Sequence, residues 1–319
     1  MLEIIFLLIG FIAIIKASDI LVESASSIAI KCKVPKMLIA LTIVSFGTCA
    51  PEVAISFNSV LAKNGTMAFA NVIGSCIVNV FLIIGLAALI KPIKIKHNTI
   101  KKELPILLLV TTSFCVLMLD SLFNKNSNNI FSRADGITLI LLFTMFVAYL
   151  IELFKKGNKD DLEEKVEAKY DNILIALIIL VLSIIMVIIS SEIIVTNATK
   201  LAKIIGISEK IITMTIIVIG TSLPELMLTV TSAKKGEFEM TIGNIIGTNI
   251  FNICIVLGLP VALYGDIALK SFSIIDILTV FLSSLSLYLF AKSEKKISKK
   301  EGLIMLAIFL AYYIYLFNQ

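Results

Sequence analysis

The sequence predicts an all-α polytopic membrane protein whose ten transmembrane helices form two inverted five-helix repeats. Three observations predict this fold, namely the composition, the number of apolar stretches and an internal repeat. Of the 319 residues, 58% are hydrophobic and only 16% are charged, whereas soluble domains carry about 25% charged residues. This balance excludes a soluble enzyme, a disordered protein and a nucleic-acid-binding protein, and it makes the lipid bilayer the expected surroundings of the chain.

Ten apolar stretches approach the length of about 20 residues that a membrane-spanning helix needs. They are residues 2–29, 37–62, 66–90, 103–119, 133–154, 172–199, 210–233, 239–264, 272–291 and 302–317. The first stretch lacks a basic leading segment and a small-residue cleavage site, which favours a retained helix over a signal peptide. The polar linker 155–171 separates a first five-helix repeat, residues 1–154, from a second and inverted one, residues 172–319.

The basic residues predict the orientation, because cytoplasmic loops of membrane proteins carry an excess of Lys and Arg. Of the 28 Lys and Arg residues, 20 fall in one set of alternate loops and 7 in the other, while Lys16 lies inside the first helix. The bias predicts an integral plasma-membrane protein with both termini outside and the 155–171 loop in the cytoplasm. It also favours ten spans, since one missed helix would scramble the alternation.

An internal repeat with an offset of 173 residues relates the two halves. Residues 46–52, FGTCAPE, correspond to residues 219–225, IGTSLPE. Further pairs follow without a gap, namely Asn71 with Asn244, Gly74 with Gly247, Ser75 with Thr248, Asn79 with Asn252 and Gly85 with Gly258. Each half has an odd number of helices, so the second copy must be inverted. Inverted repeats are typical of secondary transporters, whose sites lie near the membrane midplane.

Two carboxylates, Glu52 and Glu225, fall near the middle of repeated helices. A charge at the membrane centre costs about 2.5–3.5 kcal/mol on insertion scales, and such residues are usually functional. No Lys, Arg or His lies near the middle of the repeated helices, so a bound cation explains the duplicated pair better than a packing role does.

Each of these glutamates directly follows a proline. Pro51 and Pro224 cannot donate a backbone hydrogen bond, and they push away the carbonyl four residues earlier, which belongs to Gly47 or Gly220. Exposed carbonyls are tolerated inside a membrane only where they line a cavity. Two such breaks at equivalent positions therefore predict a polar cavity beside the two carboxylates.

Hydroxyl and amide side chains complete a set of oxygen ligands around these breaks. They are Thr48, Ser75 and Asn79 in the first half, and Thr221, Ser222, Thr248 and Asn252 in the second. Small polar residues in membrane helices often serve packing alone, so for any single Ser or Thr both interpretations remain open. Carboxylates with neutral oxygens suit hard cations such as Ca²⁺ or Na⁺ better than Zn²⁺ or copper.

The motifs GTCAPE with GSCIVN, and GTSLPE with GTNIFN, resemble the two α-repeats of prokaryotic sodium/calcium exchangers in the cation/Ca²⁺ exchanger superfamily. The resemblance implies four overlapping cation sites at the midplane, with Glu52 and Glu225 binding Ca²⁺ directly and also taking part in Na⁺ sites. It further implies a set of oxygen ligands and alternating access by helices 1 and 6 sliding across the other eight. The implied ligands are the Thr48 and Thr221 carbonyls for Ca²⁺; Thr48, Ser75, Thr221, Ser222, Thr248 and carbonyls near Ser45 and Val218 for Na⁺; and Asn79 and Asn252 beside the central position.

Three residues depart from the family pattern, and one of them, Thr248, replaces Ser and keeps the hydroxyl. Cys49 stands where the first repeat commonly has Ser, and a thiol is a poor Na⁺ ligand. Asn252 stands where some members have Asp, which weakens a K⁺-dependent interpretation because that branch resembles an Asp at this place.

The expected function is a Na⁺/Ca²⁺ antiporter that exports Ca²⁺, driven by the Na⁺ gradient, with Ca²⁺ and Na⁺ as transported ions. The alternative on the same fold is an H⁺-coupled antiporter of Ca²⁺ or another divalent cation, but two carboxylates among many neutral oxygens favour Na⁺. An intramembrane enzyme is not expected, since the single histidine excludes HExxH and no GxSxG is present. No cofactor, nucleic acid or obligate protein partner is expected either.

Overall fold

The computed structural model describes residues 2–61, 65–119, 130–156, 168–204, 218–269 and 272–318. Nearly all of these residues are helical, and four strands have only two residues each. The helices are α1 (Leu2–Cys32), α2 (Lys36–Thr48), α3 (Ala50–Leu61), α4 (Gly65–Ile90), α5 (His97–Lys101), α6 (Glu103–Leu117), α7 (Arg133–Lys156), α8 (Ile173–Ile204), α9 (Val218–Thr221), α10 (Leu223–Lys235), α11 (Phe238–Tyr264), α12 (Ile274–Glu294) and α13 (Lys299–Phe317). The strands are β1 (Ile93–Lys94), β2 (Ile130–Phe131), β3 (Ile267–Ala268) and β4 (Lys296–Ile297).

Length and composition identify seven described helices that could cross a membrane, namely α1, α4, α7, α8, α11, α12 and α13. The bent pair α2–α3 adds an eighth. Helix α6 has 15 residues, fewer than the about 20 of a full span. The span predicted at 210–233 begins within residues 205–217, and most of the linker 155–171 falls on 157–167, both outside the described residues. The protein is a polytopic, mostly helical membrane protein.

The repeated helices α4 and α11 occupy the interior of the molecule. In their most apolar segments, 72% and 78% of the residues are buried, whereas the corresponding share in α7 is 17%. Large apolar side chains such as Leu141 and Met145 of α7 are exposed. Lipid tails are a suitable environment for such a surface, so the outer helices present an apolar face to the bilayer and shield the polar centre.

Two short antiparallel ribbons join the first half of the chain to the second. In the first, β1 pairs with β4 and places Ile93 opposite Ile297. In the second, β2 pairs with β3 and places Phe131 opposite Ile267. Each ribbon therefore takes one strand from before residue 157 and one from after residue 167.

Two glycine contacts bring helices from the two halves close together. A Cβ on Gly302 of α13 would lie 2.8 Å from the Gly85 carbonyl oxygen of α4. A Cβ on Gly136 of α7 would lie 2.7 Å from the Gly258 carbonyl oxygen of α11. Small residues permit such approach between membrane helices. Since Gly85 and Gly258 are equivalent in the repeat, the same type of helix crossing occurs twice.

Candidate cation site

Two helix breaks at equivalent positions form the framework of the site. Helices α2 and α3 are bent by 50°, and Cys49, the residue between them, has φ −74° and ψ 3°. Ser222, between α9 and α10, has φ −88° and ψ 8°. Cys49 and Ser222 are equivalent in the repeat, so the predicted proline-associated breaks occur in both halves with nearly the same backbone geometry.

Glu52 and Glu225 follow the two breaks. The two carboxylates are close enough for the charge of Glu225 to act on Glu52. Both side chains are 0% exposed. None of their four carboxylate oxygens has a hydrogen-bond partner among the described residues. Burying a carboxylate costs on the order of several kcal/mol unless an opposite charge and hydrogen bonds compensate. The pair therefore suits a shared cation or a bound proton.

Other buried carboxylates among the described residues are partnered, which sets Glu52 and Glu225 apart. Glu103, at the start of α6, accepts a hydrogen bond from the Tyr149 hydroxyl. Asp276 closes a capping box at the start of α12 and accepts a hydrogen bond of 2.9 Å from the Tyr312 hydroxyl. Glu103 and Asp276 thus have structural roles at helix ends.

Four polar side chains, from three helices and from the first break, lie around the two glutamates. Ser75 of α4 lies beside Glu52, although its hydroxyl is outside hydrogen-bonding geometry. Thr48 and Cys49 lie beside Glu225, and Thr248 of α11 lies next to Cys49. We define these residues as the candidate cation site: Thr48, Cys49, Glu52, Ser75, Glu225 and Thr248.

Unsatisfied polar atoms are concentrated at the predicted ligands. Within the described ranges, ten of the thirteen buried side-chain nitrogen and oxygen atoms that lack a hydrogen-bond partner belong to seven of these residues. They are Glu52, Ser75, Asn79, Ser222, Glu225, Thr248 and Asn252. Buried polar groups are normally hydrogen-bonded, so this concentration marks a polar centre that can coordinate ions. No three His, Cys, Asp or Glu side chains of the described residues form a metal site by themselves, so neutral oxygens have to contribute.

Protein donors engage two carbonyls near the breaks. The Gly220 carbonyl, expected to be free, accepts a hydrogen bond of 2.9 Å from Ser191 Oγ of α8. The Ser45 carbonyl accepts two bonds, from the Cys49 N–H at 3.1 Å and from the Thr48 hydroxyl at 3.2 Å. Both lone pairs of the Ser45 carbonyl are therefore used, whereas the described residues account for one lone pair of the Gly220 carbonyl.

The remaining predicted ligands of the second half are at its break. Thr221 ends α9 and is partly buried, while Ser222 is 1% exposed. The backbone of Val218 begins α9, but its side chain is outside the described part of the chain.

The two asparagines of the predicted site have different surroundings. Asn79 Nδ2 donates to Asn249 Oδ1 at 2.9 Å, and Asn249 Nδ2 donates to the Cys76 carbonyl at 3.5 Å. In contrast, both polar side-chain atoms of Asn252 lack partners within the described part of the chain. The difference follows from the repeat, because Cys76 occupies the position equivalent to Asn249 and has no amide to offer.

A second pair of asparagines joins α4 and α11 by hydrogen bonds to the helices that follow the breaks, α3 and α10. Asn71 Nδ2 donates to Ser56 Oγ at 3.2 Å and to the Glu52 carbonyl at 3.3 Å. Asn244 Nδ2 donates to Thr229 Oγ1 at 3.1 Å. Ser56 and Thr229 are also 173 residues apart, so extending the repeat offset would have identified these supporting residues.

Comparison with known proteins agrees with this geometry. The family model described as sodium/calcium exchanger protein matches residues 2–152 and 175–318. The inner membrane protein YrbG of Escherichia coli (strain K12) is 36% identical over 260 residues, covering 80% of this chain and 78% of that protein. The sodium/calcium exchanger MaX1 of Methanosarcina acetivorans is 30% identical over 349 residues, covering 98% of this chain and 97% of that protein.

A solved structure has the same fold. It is the sodium-calcium exchanger NCX_Mj soaked with 10 mM Na⁺ and zero Ca²⁺, with a TM-score of 0.83 and 31% identity over 98% of both chains. The family match covers most of the chain and the structural match nearly all of it, in agreement with the resemblance of the two motifs. The chain belongs to the sodium/calcium exchanger family of membrane antiporters.

Proposed function

We propose that this protein is a Na⁺/Ca²⁺ antiporter that exports Ca²⁺ across the plasma membrane by alternating access, driven by the Na⁺ gradient. The observation that supports it most is the pairing of Glu52 with Glu225, whose carboxylates are fully buried and have no hydrogen-bond partner in the described ranges. One Ca²⁺ neutralises both charges, and oxygen ligands are those that Ca²⁺ prefers. The same charges can instead be neutralised by Na⁺ ions, which makes exchange of the two cations competitive.

The proposed ligands divide by the charge of the cation they hold. Glu52 and Glu225 bind Ca²⁺, with the carbonyls of Thr48 and Thr221. Na⁺ ions take the hydroxyls and the neighbouring carbonyls, while the two asparagines flank the central position. The Na⁺ ligands are Thr48, Ser75, Thr221, Ser222 and Thr248 with the carbonyls of Ser45 and Val218, and the flanking amides are Asn79 and Asn252. The Ser45 carbonyl can join only if the Thr48 hydroxyl turns away from it.

The proposed architecture has ten helices in two inverted repeats, residues 1–154 and 172–319, joined by a cytoplasmic linker. In this arrangement α6 and the broken pair α9–α10 are the two further spans, and both termini are outside. The matched breaks at Cys49 and Ser222 support it, as do the matched glycine contacts at Gly85 and Gly258. In alternating access, α1 and α8 slide across the other helices.

The decisive measurement is ⁴⁵Ca²⁺ uptake into proteoliposomes that contain the purified protein. We expect an outward Na⁺ gradient to drive uptake and a pH gradient alone to drive none. Uptake that follows the pH gradient and ignores Na⁺ would contradict Na⁺ coupling and would identify the H⁺-coupled antiporter instead.

Replacing the paired carboxylates tests the site itself. We expect Glu52→Gln and Glu225→Gln each to abolish Na⁺-driven ⁴⁵Ca²⁺ uptake, because the neutral amide removes a charge that the divalent cation needs. Glu294→Gln is the matched control, since Glu294 lies at the end of α12 and pairs with Lys296 at 2.8 Å. Full transport by both site variants would refute the assignment.

A further inference from the structure

Cys49 is the point at which the two helix breaks differ chemically. It is 0% exposed, and its φ and ψ are close to those of Ser222 at the equivalent break. The first half therefore presents a thiol where the second half presents a hydroxyl. This difference lies inside the candidate cation site, so it bears on which cations the site accepts.

The surroundings of the Cys49 thiol are those of a metal ligand. The carboxylates of Glu225 and Glu52 interact electrostatically with the thiol, and the Thr248 side chain lies beside the sulfur. Both carboxylates are fully buried, and no described residue forms a hydrogen bond with them. A thiol beside unpartnered buried carboxylates differs from a cysteine that is packed among apolar side chains, because anionic oxygens are already in place to share a cation.

The other cysteines provide internal comparisons. Cys32 is exposed and precedes α2 in the chain. Cys76 lies near Glu52 but also near Cys115 and Cys254, which makes it the competing thiol. No three of the described His, Cys, Asp and Glu side chains form a metal site alone, so any cation held by Cys49 is completed by neutral oxygens.

Thiolates are soft ligands, and divalent cations differ strongly in their affinity for them. Ca²⁺ is hard and takes oxygen ligands, whereas Cd²⁺ carries the same charge and binds sulfur well. We propose that the candidate cation site binds Cd²⁺ through Cys49 Sγ and the Glu225 carboxylate, so that soft divalent cations compete with Ca²⁺ for this protein. On binding, an S–Cd bond forms and the thiol proton leaves to solvent, with no change in oxidation state. The competition with Ca²⁺ rests on the proposed transport function, but Cd²⁺ binding does not.

Titration of the purified full-length protein with Cd²⁺ tests the ligand directly. The ultraviolet charge-transfer absorbance of a thiolate–Cd²⁺ bond should develop in a Cys32→Ser background, which removes the exposed thiol. We expect adding Cys49→Ser to abolish this absorbance and adding Cys76→Ser to preserve it. Absorbance that survives Cys49→Ser, or that disappears with Cys76→Ser, overturns the proposal.

Competition against ⁴⁵Ca²⁺ uptake tests the consequence for transport. We expect Cys49→Ser to raise the Cd²⁺ concentration for half-inhibition by about tenfold or more, the scale on which groups around a metal affect affinity. Cys76→Ser, which lies outside the candidate cation site, should leave the Cd²⁺ concentration for half-inhibition unchanged. If Cd²⁺ inhibits ⁴⁵Ca²⁺ uptake equally in the unmodified protein and in Cys49→Ser, the inference is overturned and the proposed function stands. If the unmodified protein takes up no ⁴⁵Ca²⁺, the proposed function fails and the absorbance titration still decides on the Cd²⁺ site.

The repeat offers a second variant that does not depend on how well Cys49→Ser folds. Ser222→Cys places a thiol at the equivalent break, where Ser222 Oγ has no hydrogen-bond partner among the described residues. We expect larger charge-transfer absorbance and tighter Cd²⁺ binding than in the unmodified protein. Unchanged absorbance and affinity would show that thiols at these breaks do not reach the bound cation.

Discussion

At the scale of single residues, Asn249 fixes the orientation of Asn79 by accepting its amide hydrogen bond at 2.9 Å. Asn249→Ala removes that acceptor from α11. We expect cation affinity to fall about tenfold, as it does when orienting groups around metal ligands are lost. The fold should persist, because such a hydrogen bond between membrane helices contributes about 0.6 kcal/mol on average. The concentration dependence of ⁴⁵Ca²⁺ uptake checks this expectation.

Asn197 is a suitable control for this substitution. It is a buried asparagine of α8 whose amide donates to a carbonyl of its own helix, that of Ile193, at 2.8 Å. Asn197→Ala should leave the Ca²⁺ dependence unchanged. Equal losses in the two variants would mean that Asn249 acts through general packing and has no particular effect on Asn79.

Residue identity explains which parts of the site sequence alone could predict. Glu52 and Glu225 stand out because an unpaired charge in an apolar helix is costly and because each recurs at the same offset. Asn249 has no such signal, since its equivalent is Cys76 and the repeat shows no match there. The roles of the predicted ligands stay predictions, as no bound cation tests them.

At the scale of elements, the two helix breaks were predictable because proline acts through local geometry. The hydrogen bond from Ser191 to the Gly220 carbonyl was not predictable, since it depends on the packing of α8 against α9. The ribbons were not predicted either. Strands of two residues, such as Ile93–Lys94 and Ile267–Ala268, are too short to show an alternating pattern.

The glycine contacts predict a stability effect at helix crossings. Gly302→Ala and Gly136→Ala each place a methyl group against backbone atoms, 2.8 Å and 2.7 Å from the nearest carbonyl oxygen. Backbone cannot rotate away as a side chain can, so we expect a loss of about 1–3 kcal/mol in the free energy of unfolding, as in overpacked cores. Thermal unfolding in detergent measures it.

Gly10→Ala serves as the comparison for these two variants. A Cβ on Gly10 of α1 would also meet an atom at 2.8 Å, but that atom is Ile194 Cγ1, part of a side chain. The Ile194 side chain can adjust, so the melting temperature should fall less than in the two crossing variants. A larger fall for Gly10→Ala would contradict the backbone-contact explanation.

At the scale of the whole molecule, Cys32 can report the orientation of the protein in the membrane. It is exposed, whereas the other four cysteines are buried. Cys32 is the last residue of α1, directly before the Lys-rich loop that the charge bias assigns to the cytoplasm. We therefore expect a membrane-impermeant maleimide to label inside-out vesicles and to leave right-side-out vesicles unlabelled.

A cysteine introduced at Asn318 can report the opposite side of the membrane. Asn318 follows α13 and is exposed, and the proposed topology places it outside. Asn318→Cys in a Cys32→Ser background should give the reverse pattern, with labelling of right-side-out vesicles. Labelling of both reporters from the same side would contradict the proposed topology.

Each β-ribbon requires one strand from before residue 157 and one from after residue 167. Neither half can therefore complete its own ribbons, and the two halves depend on each other as the subunits of a dimer do. The chain between them guarantees one copy of each half per molecule. Because both halves belong to one chain, they need not be identical in sequence. The thiol of Cys49 at one break and the hydroxyl of Ser222 at the other are one such difference.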